Sequence, residues 1–377
     1  MNADERRLKI CNPRFHVFNL RLSAFICGFI FLASFSSAQN KKLIEFGWDE
    51  PDTAYLRQHI AAMEQTPFDG CVYHVKYDKP DGSKGDFLWE CWGKRTFTAD
   101  DLTSARADLK ATELKKFTHN FLRFNVCPGD VDWFDDDFAP ILANAKLAAQ
   151  LAKEGKSAGV LFDIEQYNSH PFEYAKQKHA KEKSFDDYAK QVRQRGREVM
   201  KAFQDGYPDL TIFLTFGYSL PHAQAGTDRA KLATAGYGLL APFLDGMFDE
   251  ARGKTKIVDG YEISYGYRTQ DEFRAAALAQ AQAPLAADPE QFHKHGSMGF
   301  GLWMDNDWRK KGWDVNDFSK NYFTPEQFQK SVESAISAAD GYVWVYTESP
   351  KWWEGPDAKA TRLPPAYMDA VRNAVKR

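Results

Sequence analysis

Two carboxylates one residue apart, Asp163 and Glu165, end the apolar run GVLFDIEQY at residues 159–167. An unpaired carboxylate is costly to bury, so such a pair indicates a solvated strand end, a structural ion pair or a proton-transfer site. Residues i and i+2 of a strand share one face, so both side chains should point the same way, with Glu165 nearer the rim. Like charges this close raise the pKa of one carboxyl group, which keeps it protonated near neutral pH. The spacing therefore favours general acid/base chemistry.

Apolar runs and amphipathic stretches alternate along the chain from residue 43 onward, which predicts alternating strands and helices. Such alternation with long connections implies parallel strands, and no GxGxxG follows the first strand to favour a dinucleotide-binding sheet. Eight strands predict an α/β fold, a (β/α)8 TIM barrel with extended loops at its C-terminal face. The segment 256–267 is interpreted as an insertion after the sixth strand. The predicted strands are 43–48, 70–75, 121–126, 158–165, 210–218, 243–250, 297–305 and 340–348, and the predicted helices are 53–65, 138–155, 184–205, 229–242 and 324–339.

The carboxyl ends of the predicted strands carry polar and aromatic residues, and catalytic side chains of a parallel barrel lie at these ends. Acids follow the first, fourth, sixth, seventh and eighth strands, so we expect them to face one crevice. An alternative for the fourth strand is that Asp163 pairs with Arg123 on the neighbouring strand while Glu165 caps a loop. The candidate binding residues are Trp48, Asp49, Arg123, Asn125, Tyr167, Tyr218, Asp249, Glu262, Trp303, Asp305 and Trp352.

All ten tryptophans lie after residue 38, and most fall at or just after a predicted strand end. Sugar rings present apolar C–H faces, which suit amphipathic aromatic rings beside polar groups. Glycoside hydrolysis requires one carboxylic acid to protonate the leaving oxygen and a second group to stabilise or attack the anomeric carbon. Acids and tryptophans at one barrel mouth therefore predict a carbohydrate site.

The chain resembles the TIM-barrel glycoside hydrolases, and its fourth strand is similar to the chitinase-type motif of family 18, roughly D-G-x-D-x-D-x-E. Gly159, Asp163 and Glu165 match the motif, whereas Ala158 and Leu161 occupy its other two acidic places. The resemblance implies that Glu165 is the acid and that Asp163 orients a substrate acetamido group.

If the acetamido group is not used, a second carboxylate must come from another strand. Glu348 is the first choice because it shares a strand face with Tyr346 and precedes an aromatic segment. Asp249 and Asp305 come next, and Glu262 could act from the insertion. Carboxyl separation then decides between retention and inversion.

We therefore predict a secreted glycoside hydrolase that acts on a poly- or oligosaccharide through carboxylates. One alternative is a non-catalytic carbohydrate-binding barrel, and another is a lyase or epimerase that uses tyrosine and arginine. We expect no metal and no cofactor, and neither GxSxG nor HExxH is present to favour a serine hydrolase or a zincin. A formal charge of −3 disfavours nucleic acid as a partner.

Residues 1–38 have the pattern of a secretory signal peptide: a basic stretch, the apolar run 22–35 and small residues at Ser36 and Ala38. The apolar run is short for a membrane span, although an uncleaved anchor is the alternative. We expect residues 39–377 to form one barrel domain that is exported, with no stable membrane span after signal removal. Three cysteines would remain, and a Cys71–Cys91 disulfide or buried free thiols are both open.

Overall fold

The computed structural model describes residues 41–307, 309–310, 312–353 and 361–376, so the predicted signal peptide, residues 1–38, lies outside the described residues. The core is a sheet of parallel strands that are consecutive neighbours in chain order. We number them β1 Lys42–Glu45, β2 Gly70–Tyr73, β3 Phe121–Asn125, β4 Gly159–Asp163, β5 Thr211–Leu214, β6 Lys256–Asp259, β7 in two pieces, Gly296–Met298 and Phe300–Trp303, and β8 Tyr342–Tyr346.

The sheet closes on itself through β7. Its first piece pairs with β6, its second piece pairs with β8, and only Gly299 separates the two pieces. β8 in turn pairs with β1 in parallel, with Lys42 opposite Tyr342 and Glu45 opposite Val345. The nine strand segments therefore make an eight-stranded barrel, which confirms the predicted (β/α)8 fold class.

Helices surround the barrel and alternate with its strands. Several begin at sequence signals for a helix start, including capping boxes at Ser184, Thr269 and Thr324 and a proline in the first turn after Thr324. The helices are α1 Thr53–Met63, α2 Thr103–Ala111, α3 Ala139–Glu154, α4 Phe185–Gly206, α5 Ser219–Ala225, α6 Leu240–Glu250, α7 Gln270–Ala281, α8 Pro289–His295, α9 Pro325–Ala338 and α10 Pro365–Ala374. Among the described residues, no helix is long and apolar enough to cross a membrane.

The prediction of the sixth strand was wrong. Residues 243–250 belong to α6, and the segment that was interpreted as an insertion contains β6. Every residue of α6 from Leu240 to Phe248 is buried, and Gly246 lets α6 pack directly on the α4 backbone, since a Cβ there would lie 1.9 Å from the Arg193 carbonyl oxygen. A short helix that is apolar all round resembles a buried strand in sequence, which explains the error.

Side chains alternate between the inside of the barrel and the helical layer. Ile44, Phe121, Leu161 and Trp344 belong to the inner cluster. Because every second residue shares a face, the positions of Arg123 and of the pair Asp163 and Glu165 also fall on the inner side, at the carboxyl end of the barrel. Glu348 likewise follows the inward positions of β8.

Two local structures extend the carboxyl end beside β2 and β6. After β2, a hairpin pairs Lys76–Asp78 with Lys84–Asp86 and runs into a 3-10 helix, Phe87–Trp89. After β6, a 3-10 helix covers Glu262–Gly266. The three described cysteines, Cys71, Cys91 and Cys127, are buried free thiols, so the structure contains no Cys71–Cys91 disulfide.

Candidate functional site at the barrel mouth

A cavity of about 370 Å³ opens at the carboxyl ends of β1, β2, β3 and β8. This volume lies within the range of small-ligand sites. Aromatic rings and charged groups share its wall, which is the composition expected for a ligand with apolar faces and polar edges. The lining residues are Phe46, Gly47, Trp48, Glu50, His74, Asp86, Leu88, Trp89, Arg123, Tyr167 and Tyr346.

Arg123 is the central cation of this wall. Its Nη1 donates to Glu50 Oε2 at 2.8 Å, its Nη2 donates to Asp163 Oδ2 at 2.7 Å, and its Nε donates to Asn125 Oδ1 at 3.0 Å. Burial alone would lower the pKa of Arg123, but Glu50 and Asp163 raise it well above its usual value. The guanidinium therefore stays charged and holds three strand ends in fixed positions.

The Asp163 carboxylate is satisfied by its surroundings. Oδ2 accepts from Arg123 and from the Tyr167 hydroxyl at 3.0 Å, and Oδ1 accepts from the Glu165 backbone N–H at 3.1 Å. The predicted alternative of an Asp163–Arg123 ion pair is thus present. Glu165 is buried, with 7% of its surface exposed, and follows Asp163 at the end of β4.

Directly after β2, the strand next to β3, His74 lies between two carboxyl groups. Its Nδ1 is 3.4 Å from Glu50 Oε1 and its Nε2 is 3.9 Å from Asp86 Oδ2. Burial would lower the pKa of His74, but the contact with Glu50 raises it. Burial would raise the pKa of Glu50, but Arg123 and His74 lower it, whereas burial raises the pKa of Asp86 with only partial opposition from His74. One cavity thus holds two carboxyl groups whose pKa values are shifted in opposite directions, that of Glu50 down and that of Asp86 up.

Aromatic side chains form the rim. Trp48 is 67% exposed, and its Nε1 donates to the Tyr346 hydroxyl at 2.6 Å. The Tyr346 hydroxyl lies 3.4 Å from Glu348 Oε1, which places Glu348 beside the cavity wall. Trp89 is 40% exposed and contacts Tyr167 edge-on, with ring centroids 5.4 Å apart.

Three further candidates lie at the β6 to β8 side of the mouth. Trp303 contacts Tyr346, with ring centroids 5.5 Å apart, and its Nε1 donates to Asp305 Oδ1 at 2.9 Å. Asp305 also accepts from the backbone N–H groups of Glu348 and Ser349, so it ties the end of β7 to the end of β8. Glu262 is buried in the 3-10 helix after β6.

The other four candidates lie away from the cavity wall. Asp49 lies behind β1, where its Oδ2 accepts from the Trp352 backbone N–H at 2.8 Å, and Trp352 packs edge-on against Phe68. Tyr218 is buried against Phe248, and its hydroxyl donates to Asp245 at 2.7 Å.

Asp249 was placed at a strand end only because 243–250 was predicted to be a strand. It lies on α6, where its carboxylate accepts from Arg193 and Arg197 of α4 at 2.7 and 2.8 Å. It is therefore part of the contact between two outer helices.

Glu50, His74, Asp86 and Trp89 line the cavity but are not among the predicted candidate binding residues. Glu50 and His74 lie near the ends of predicted strands, so their position was an available signal. Asp86 and Trp89 are brought to the mouth by the hairpin after β2, which no strand-end rule indicates. Among the described residues, no group of three or more His, Cys, Asp or Glu side chains is arranged to hold a metal ion.

No protein-family model matches the sequence, and no curated protein matches it. Solved structures with a similar arrangement include glycoside hydrolases of families 5 and 18. A family 5 enzyme from Prevotella bryantii B14, crystallised with a xyloglucan tetradecasaccharide, is 9% identical with a TM-score of 0.47, over 87% of this chain and 88% of its own. A family 18 chitinase from Pseudoalteromonas aurantia is 12% identical with a TM-score of 0.42, over 89% and 100%.

An endo-β-N-acetylglucosaminidase from Cordyceps militaris is 10% identical with a TM-score of 0.42, over 90% of this chain and 92% of its own. All three TM-scores lie below 0.5. The fold assignment therefore rests on the strand order of this chain, and the description of the site rests on its own contacts.

Proposed function

We propose that this chain is a glycoside hydrolase that acts on a poly- or oligosaccharide at the carboxyl end of its barrel. The observation that carries the proposal is the cavity of about 370 Å³, whose wall combines Trp48, Trp89 and Tyr346 with carboxyl groups. Aromatic rings bind the C–H faces of sugars, and carboxyl groups supply the acid and the second group that glycosidic cleavage requires.

Glu165 is proposed as the general acid/base. It follows β4 at the carboxyl end of the barrel, on the inward face, although it is not among the residues that line the cavity, and its backbone N–H donates to Asp163. Asp163 is proposed as the positioning residue, because Arg123 and Tyr167 occupy one of its oxygens. Protonation of the leaving oxygen by Glu165 would then break the glycosidic bond.

Glu348 is proposed as the second carboxylate. It extends β8, the strand next to β1, and lies beside the Tyr346 hydroxyl on the cavity wall. From this place it would attack the anomeric carbon or activate a water molecule, depending on its distance from Glu165 in the complex.

The test is a screen of soluble polysaccharides for release of reducing ends, followed by Glu165→Gln on each substrate that is cleaved. General acid/base catalysis contributes about 10²–10⁴-fold, so we expect kcat to fall by at least about 100-fold. Glu173→Gln is the matched control, because Glu173 lies in the loop after the same strand and pairs with His170 at 3.2 Å. Equal activity of the two variants would contradict the role of Glu165.

A second candidate function is a non-catalytic carbohydrate-binding barrel. It is favoured by the ion pair between Asp163 and Arg123, because this pair accounts for Asp163 as a structural group. In that case oligosaccharides bind without release of reducing ends, and replacing Trp48 and Trp89 abolishes binding.

We also propose that the protein is exported. This proposal rests on the basic and apolar segments within residues 1–38. Cell fractionation of the full-length chain tests it, with the Ala38 region as the expected processing site in the N-terminal sequence of the exported form.

A further inference from the structure

We propose that Glu50, His74 and Asp86 form a subsite that binds neighbouring hydroxyl groups of one sugar ring, with the ring packed on Trp89. This inference rests on the proposed function only in taking the ligand to be a carbohydrate. It assigns Glu50, His74 and Asp86 to substrate binding. Hydrolysis by Glu165 is a separate step at the same mouth.

The first support is the arrangement of acceptor atoms. Only 8% of the Glu50 side chain is exposed, and its Oε2 is held by Arg123. The nearest partner of Glu50 Oε1 is His74 Nδ1 at 3.4 Å, and the Asp86 side chain is 29% exposed, with its Oδ2 3.9 Å from His74 Nε2. Carboxyl oxygens at a cavity wall gain free energy from additional donors, so hydroxyl groups of a ligand in this cavity would stabilise these side chains.

The second support is the charge of the surroundings. Arg123 pairs with Glu50, and the His74 imidazole lies between Glu50 and Asp86, so basic groups of the protein already face both carboxyl groups. A cationic ligand would meet these groups at close range. Neutral O–H donors bind carboxyl oxygens without adding a further positive charge.

The third support is the apolar surface next to the acceptors. Trp89 follows Asp86 by three residues and is 40% exposed, with Tyr167 packed edge-on against it. Both rings line the same cavity as the carboxyl groups. A sugar ring that lies on the indole face would therefore direct its hydroxyl edge towards Asp86 and Glu50.

The test is calorimetric titration of the full chain in a Glu165→Gln background, so that the ligand is not turned over. The probes are cellohexaose, xylohexaose, mannohexaose and chitohexaose. For each hexasaccharide that binds, we expect Asp86→Ala to raise Kd by about tenfold or more, as loss of a hydrogen bond to a charged group does. Trp89→Ala should weaken binding of the same hexasaccharide.

Asp78→Ala is the matched control, because Asp78 lies in the same hairpin with its side chain 56% exposed and paired with Lys84. Its Kd should stay within about twofold of the parent chain. A monodeoxy analogue that lacks the hydroxyl group bound by Asp86 should have the same Kd for the parent chain and for the Asp86→Ala chain.

Equal Kd values for Asp86→Ala and Asp78→Ala would overturn the subsite, as would failure of every hexasaccharide to bind the parent chain. If Asp86→Ala weakens binding but the wild-type chain cleaves no polysaccharide, the subsite stands and the hydrolase proposal fails. If Glu165→Gln abolishes cleavage while Asp86→Ala binds normally, the hydrolase proposal stands and the subsite fails.

Discussion

The end of β1 separates two groups of carboxyl side chains that differ in their partners. On the inner side, Glu50 faces the cavity and pairs with Arg123 and His74. On the outer side, Glu45 and Asp49 lie together behind the strand, and each is the other's side-chain hydrogen-bond partner. The two groups lie within six residues of each other in sequence and occupy opposite faces.

The difference shows how a neighbouring cation lowers the pKa of a buried carboxyl group. Arg123 and His74 lower the pKa of Glu50 despite its burial, so it favours the ionised form. Burial and the neighbouring Asp49 raise the pKa of Glu45 well above its usual value, so it favours the protonated form. The cations beside Glu50 therefore shift it towards the ionised form, whereas burial and Asp49 shift Glu45 towards the protonated form.

Replacing Arg123 should have the largest effect, because Arg123→Met leaves Glu50 and Asp163 without their shared cation. Breaking a buried ion pair from one side costs about 3–5 kcal/mol, and we expect the free energy of unfolding to fall by that amount. Denaturant titration measures it.

Lys76→Met is the control for this experiment, since Lys76 pairs with Asp52 at 3.0 Å but is 43% exposed. An exposed pair contributes at most about 1 kcal/mol. Equal losses for the two variants would contradict the view that the inner group depends on Arg123.

Glu45→Gln should have the next largest effect, and it should depend on pH. A raised pKa in the folded state means that the wild type is fully stabilised below the ordinary value, about 4.3, and loses stability as pH rises through the folded pKa. The variant lacks this titration, so its stability relative to wild type should increase between about pH 4 and 7 by about 1.4 kcal/mol for each unit of pKa shift. Parallel stability curves would show that Glu45 does not hold a proton.

His74→Gln should have the smallest effect, in a higher pH range. The pKa of His74 is raised by Glu50, so the wild-type stability is fully present below the ordinary value of about 6.5 and is lost as pH rises through the folded pKa. The free energy of unfolding of wild type relative to the variant should therefore fall between about pH 6 and 8. A relative stability that rises with pH would contradict the raised pKa.

The fold could be predicted from sequence because strand and helix periodicities differ and because the connections are long enough for parallel strands. Seven of the eight strands overlap predicted ranges. The sixth was misassigned because α6 is buried from Leu240 to Phe248, so few polar residues reveal its helical period.

The candidate site was less predictable because the position of a residue at a strand end does not show which side chains it contacts. Asp163 and Arg123 were both predicted site residues, but the sequence left open whether Asp163 pairs with Arg123 or acts with Glu165. The structure contains the ion pair. Asp86 reaches the cavity through a hairpin, and Asp49 lies away from it although it directly follows the first predicted strand, 43–48. Which face a loop residue occupies depends on the tertiary path of the loop, and this path has no two-residue period.

A crystal structure of the Glu165→Gln chain with a hexasaccharide that the wild type cleaves would test the central claim most directly. We predict a sugar chain across the cavity, with one ring on Trp89 and the glycosidic oxygen within hydrogen-bond distance of the residue 165 side chain. A sugar chain bound elsewhere, or a glycosidic oxygen that faces only Glu50 and Asp86, would contradict the assignment of Glu165 as the acid.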